Sequence, residues 1–209
     1  YYRRFLDRRY VNRVSQTFHR YLDAFQRQLD ASPFSILGRE RYGADITQPI
    51  YGLHAQVLAL QGLKAMSTTW EQTGHPLLAD QAAQLAARLD AGLRQAVRLS
   101  DVQLSDGSLF VPIVLLDGVE KPYDSLTAWK RGSYWNLVMP YVLGSGFFRP
   151  GSPEANGLFA YMLKHGSRFL GLVRFQPHTG VRNPGYQLPG SDDVYGTGVA
   201  RFLADNDRP

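Results

Sequence analysis

The side chains best suited to chemistry stand in one short run, residues 129–141, "WKRGSYWNLVMPY". A basic, aromatic, glycine-containing turn passes straight into an apolar segment that reads as a buried helix. Trp129, Tyr134 and Trp135, with Tyr123 upstream, offer flat apolar faces with polar edges, a shape that stacks on sugar rings. Arg131 can fork to hydroxyls or to a carboxylate, and Asn136 follows on the same helix. The structural alternative is that Trp135 packs the core while Arg131 satisfies the C-terminal carbonyls of a neighbouring helix.

Acid–base chemistry also needs carboxylates, and Glu is scarce: Glu40, Glu71, Glu120 and Glu154. The long loops carry Glu40, Asp45, Asp117, Glu120, Asp124, Asp192 and Asp193. Asp124 stands seven residues before Arg131, close enough to share its site. Asp192 and Asp193 precede a helix start, where one of them is expected to be an N-cap. Two adjacent carboxylates also repel, which raises the pKa of one, the tuning a general acid requires.

Other chemistries have little to stand on. The five histidines include no pair at metal-ligand spacing, and no H-E-x-x-H occurs, so no metal and no cofactor are expected. No nucleophile elbow, P-loop or dinucleotide fingerprint is present. The chain has no cysteine, which removes disulfides and thiol chemistry without locating the protein. No apolar run approaches the ~18–20 residues that span a bilayer, and the charged first residues are not those of an export signal. The net charge is +5, with 19 Arg against 4 Lys. Many arginines crowd the start (Arg3, Arg4, Arg8, Arg9, Arg13, Arg20, Arg27). That pattern can bind nucleic acid or another anionic polymer; interspersed Asp7, Asp23 and Asp30 favour the solvated face of a helix, with no nucleic-acid partner.

The elements that must position these residues follow from periodicity. Val11, Val14, Phe18, Leu22, Phe25 and Leu29 recur by threes and fours, one stripe of a long amphipathic helix over 5–29. Residues 50–66 are apolar on almost every side, the mark of a helix buried all round. Residues 77–98 are amphipathic again, and 101–116 read as a short β-hairpin around "SDGS". Then come an apolar helix over 133–146 containing Pro140, a helix over 154–174 and another over 194–204. Amphipathic and buried helices alternate, so antiparallel neighbours would make the buried ones parallel, with their N-termini at one end. The loops 31–49, 116–133 and 175–193 would converge there, and long ordered loops are where function concentrates.

Alternating inner and outer helices around a funnel resemble the (α/α)6 toroid of the six-hairpin glycosidases. "WKRGSYW" is similar to the W-x-R-G-x-x-W segment opening an inner helix in trehalases, processing α-glucosidases and glycogen-debranching relatives. "FQPHTG" (175–180) resembles the P-x-T-G turn of those families, and "GSDDVYGTG" (190–198) precedes the next inner helix as their order implies. Ser133 stands where those families have Pro, and their catalytic Gly- and Asp-rich motif has no counterpart here. The resemblance implies an all-α fold of inner and outer hairpins forming about half a ring, as one domain over 1–209. A longer polypeptide or another chain would complete it.

The expected activity is that of part of an inverting glycoside hydrolase, with a carbohydrate partner and no membrane. A carboxylate activates water while another protonates the leaving oxygen. Asp124, Asp192 and Asp193 are the catalytic candidates; Trp129, Arg131, Tyr134, Trp135, Tyr123 and Asn136 are the substrate-binding ones. A non-catalytic glycan-binding module and a polysaccharide lyase using Tyr134, Arg131 and Asn136 are the alternatives.

Overall fold

The computed structural model describes residues 8–42, 46–123, 126, 130–166, 168–169, 172–175, 190–192 and 196–206. These residues are mainly helical and divide into two compact units, 1–40 with 55–98, and 41–54 with 99–209.

The first unit is built on α1 (Arg8–Ala31), whose stripe puts Val11, Leu22 and Leu29 in the core. Its end is a Ser-Pro turn in which Ser32 Oγ accepts the amides of Phe34 and Ile36, both at 3.3 Å. Strands β1 (Glu40–Tyr42) and β2 (Ile46–Ile50), which apart from Glu40 belong to the second unit, pair within a connection whose Pro and Gly punctuation reads as a loop. Helix α2 (Leu53–Thr73) starts in the second unit and runs into the first. It buries Leu53, Val57, Leu60, Leu63 and Trp70, but Leu58 is 54% exposed, so it is not buried all round. Trp70 meets the ring of Phe18 edge-on at 5.7 Å.

Gly74, at φ +85°, ends α2, where the amide of His75 bonds back to the Trp70 carbonyl at 2.8 Å. Helix α3 (Pro76–Arg98) opens on Pro76, where a missing amide hydrogen costs nothing. Its face of Ala82, Leu85, Leu89, Leu93 and Ala96 is buried. Gly92 lies so close to the turn after α1 that a Cβ would stand 2.1 Å from the Phe34 carbonyl.

The second unit contains the expected hairpin, β3 (Val102–Gln103) with β4 (Leu109–Phe110), antiparallel around Gly107. The segment after it buries Val111, Ile113, Val114 and Leu115. Helix α4 (Lys130–Gly144) contains Pro140 and is buried along most of its length. Helix α5 (Pro153–Lys164) is capped by Ser152, whose Oγ accepts the Ala155 amide at 3.2 Å.

A helix over 154–174 is overturned. After Lys164 the chain turns at Gly166 (φ +81°) and forms β5 (Arg168–Phe169) and β6 (Leu172–Phe175), with β7 (Gly190–Asp192) completing an antiparallel β5-β6-β7 sheet. Glycine at a left-handed position stops the helix, and the aromatic and β-branched run after it suits strands.

Helix α6 (Thr197–Asp205) closes against α4 at van der Waals limits. A Cβ on Gly198 would fall 2.0 Å from the Pro140 carbonyl, and one on Gly144 would fall 2.3 Å from the Gly198 carbonyl. This glycine contact lies at the C-terminal end of α4, opposite the turn that carries Arg131.

Candidate functional site

The opening turn of α4 is set by Gly132. A side chain there would collide with the Leu126 carbonyl at 2.2 Å, so only glycine lets Leu126 lie this close. Arg131 is exposed beside it, Tyr134 is half-buried, and Trp135 and Asn136 are fully buried.

Trp135 is therefore a core residue rather than a sugar-facing one, a correction to its expected role. Its Nε1–H donates to the Val111 carbonyl at 2.7 Å, and its ring packs on Phe110 (6.1 Å, stacked) and Tyr161 (5.3 Å, edge-on), which also meet each other at 5.3 Å. Asn136 is corrected likewise, since a fully buried amide does not meet substrate. This also weakens the lyase alternative, which relied on it.

The polar centre next to this aromatic cluster is Glu120, 8% exposed. Its Oε2 accepts the Val114 amide and its Oε1 accepts the Tyr123 hydroxyl, each at 3.0 Å. Burial pushes the Glu120 carboxyl above its ordinary pKa, against the pull of those donors and of the Arg131 charge. Burial, reinforced by the Glu120 charge, also raises the Tyr123 phenol, which stays a protonated donor. Tyr123 is held in turn by Tyr161, whose hydroxyl accepts the Tyr123 amide (2.8 Å) and donates to its carbonyl (2.9 Å). Glu120, Tyr123 and Arg131 thus form one electrostatic group at the mouth of α4.

Of the residues expected to act there, Tyr123 and Arg131 belong to this group. Asp124, Trp129 and Asp193 lie outside the described residues, and Asp192 is described only as a position in β7. Glu120 stood among the loop carboxylates without being singled out. Its signal was a lone Glu between the apolar "VPIVLL" and Tyr123, in a chain with few glutamates.

A second polar cluster sits at the tip of the β3–β4 hairpin. Asp106 accepts the Ser108 hydroxyl (2.6 Å) and amide (2.8 Å), which, with Lys164 and His165 nearby, lower its pKa to about 2. His165 Nε2 stands 3.3 Å from the Asp106 carboxylate without hydrogen-bond geometry, and its ring stacks on Tyr161 at 4.3 Å. The contacts of Asp106 with Lys164 and His165 hold the end of α5 against the hairpin, while the stack on Tyr161 orients the His165 ring.

Two cavities in the first unit, of about 530 and 590 Å³, are lined by none of the candidate residues. Among the described residues no three His, Asp or Glu side chains gather to hold a metal. No helix among them is long and apolar enough to cross a membrane. Comparison of the chain with protein-family models, curated proteins and solved structures finds no match.

Proposed function

We propose that this chain is part of a carbohydrate-active (α/α) toroid, an inverting glycoside hydrolase whose sugar-binding mouth is the start of α4. The observation that carries the reading is the group formed by exposed Arg131, half-buried Tyr123 and buried Glu120 at the entrance of α4. Arg131 binds sugar hydroxyls or a carboxylate, and Tyr134 supplies an amphipathic surface beside it. Glu120, held towards its neutral form by burial, has the character of a proton donor to a leaving oxygen. An Asp of the 124 or 192–193 stretches would activate the water. On this reading the chain makes about half a ring, and a further chain segment or a partner would complete it.

A non-catalytic glycan-binding role is the second reading. It is favoured by the engagement of both Glu120 oxygens with protein donors, which gives the carboxyl a bracing task.

Arg131→Ala tests the shared core of both readings. Oligosaccharide affinity should fall about tenfold or more while stability changes by less than ~1 kcal/mol, as for an exposed residue. Unchanged affinity per folded molecule, across neutral and acidic glycans, would remove the site. Glu120→Gln then separates hydrolase from binder: turnover is lost and binding kept in the first case, and there is no turnover to lose in the second.

A further inference from the structure

We infer that the outer face of α1 is a docking surface for a linear acidic polysaccharide. At 3.6 residues per turn, Arg9, Arg13, Arg20 and Arg27 fall within roughly 40° of one another, on the side away from buried Val11, Leu22 and Leu29. All four are exposed. Of the acids expected to balance them, Asp7 lies outside the described residues and the other two have other partners. Asp23 is turned to His19 (3.2 Å) and Gln81 (3.5 Å), while Asp30 binds Gln26 (2.9 Å) and Arg88 (2.8 Å). Among the described residues no carboxylate pairs with the four guanidinium groups.

The result is a single file of cations about 27 Å long, with Arg13, Arg20 and Arg27 each about 10.5 Å apart along the axis. Such sparse, regular charge complements a polymer with one carboxylate or sulfate every sugar or two. Duplex DNA offers about one phosphate per ~1.7 Å, distributed over two strands, a far denser array. Single-stranded nucleic acid needs free aromatic platforms for its bases. The exposed rings of α1, Tyr10 and Tyr21, stand roughly 85–105° around the helix axis from the middle of the file rather than along it, and Arg13 lies over Tyr10 at 5.5 Å. The choice of a carbohydrate as the carrier of the anions rests on the function proposed above, whereas the cationic file does not.

The test is fluorescence anisotropy at low ionic strength with labelled hyaluronan oligosaccharides, which carry a carboxylate on every second sugar. Dextran serves as the neutral competitor and oligothymidylate as the nucleic-acid probe. The full chain should bind hyaluronan, ignore dextran and lose affinity with added salt. The combined variant Arg9→Gln, Arg13→Gln, Arg20→Gln, Arg27→Gln should bind at least tenfold more weakly with an unchanged circular dichroism spectrum. Arg20→Gln alone should cost about two- to threefold. Wild-type affinity in the combined variant overturns the inference, and so does oligothymidylate binding as tight as that of hyaluronan. If Arg131→Ala leaves glycan binding intact while the combined variant abolishes it, the α1 surface stands and the α4 site falls.

Discussion

Tyr161 holds Tyr123 by both ends of one peptide residue: its hydroxyl accepts the Tyr123 amide at 2.8 Å and donates to the Tyr123 carbonyl at 2.9 Å. This side-chain clamp from α5 fixes the segment that carries Glu120 and Tyr123 into the candidate site. Tyr161→Phe keeps the ring packing against Phe110, Trp135 and His165 but leaves two backbone groups unpaired. A loss of about 1–3 kcal/mol is expected in urea unfolding. Hydrogen exchange at the Tyr123 amide should accelerate well beyond that of the α3 core. Unchanged protection at that amide would mean the clamp does not form.

The contact of α4 with α6 gives a sharper contrast. Gly198→Ala would drive a methyl group to 2.0 Å from the Pro140 carbonyl, and Gly144→Ala to 2.3 Å from the Gly198 carbonyl. Both obstacles are backbone, so the helices must separate, and each variant should lose roughly 1–3 kcal/mol or more. Gly62, in the middle of α2, is exposed, and a Cβ added there would meet nothing within 4 Å. Gly62→Ala should therefore stabilise by roughly 0.5–1 kcal/mol through backbone entropy and helix propensity. Thermal melts of the three variants in parallel check the ordering.

These glycines show what periodicity can and cannot reveal. The stripe of Val11, Leu22 and Leu29 was legible because one helix face repeats every three or four residues. So were the "SDGS" hairpin and the buried character of α4. The end of α5 was not: Phe169 and Leu172 continue a helical spacing, and only Gly166 at φ +81° marks where the chain turns away. Leu58 misled in the same manner, since its apolar type suggests burial and its side chain is 54% exposed. Trp135 could have served a ligand or the core, and the Val111 carbonyl decides for the core. Glu120 was the hardest to find. It is buried with the Val114 amide and the Tyr123 hydroxyl on its oxygens, a tertiary fact that composition does not encode.

Asp106 offers a test of the hairpin latch in acid. Its carboxyl is held at about 2, below the ordinary 3.8, chiefly by the Ser108 hydroxyl and amide. A lowered folded pKa contributes stability above the unfolded value, and that contribution is lost as pH falls through the folded one. Asp106→Asn should accordingly melt below wild type at neutral pH, and the gap should narrow from pH 3.8 downward and close near pH 2. A gap that is constant with pH would show that the carboxylate charge is not what secures Lys164 and His165.

Glu120 titrates with the opposite sign. Burial raises its folded pKa above the ordinary 4.5. Between those two values the folded chain binds more protons than the unfolded chain, so stability falls as pH rises. The contribution of the group is complete below 4.5 and disappears through the raised value. Glu120→Gln keeps the shape of the neutral acid at every pH, including an oxygen for the Val114 amide. Wild type should therefore be at its most stable relative to the variant in acid, and should lose ground steadily towards neutrality. Urea unfolding of both proteins from about pH 4 to about pH 8 measures this difference directly. The hydrolase reading adds a second expectation for the same variant: glycan binding persists, but turnover goes, because glutamine cannot give a proton to the leaving oxygen. A stability difference that grows in favour of wild type as pH rises would mean the folded state prefers the ionised carboxylate. Glu120 would then be a brace held by Val114, Tyr123 and Arg131, and the proton donor would have to be sought elsewhere.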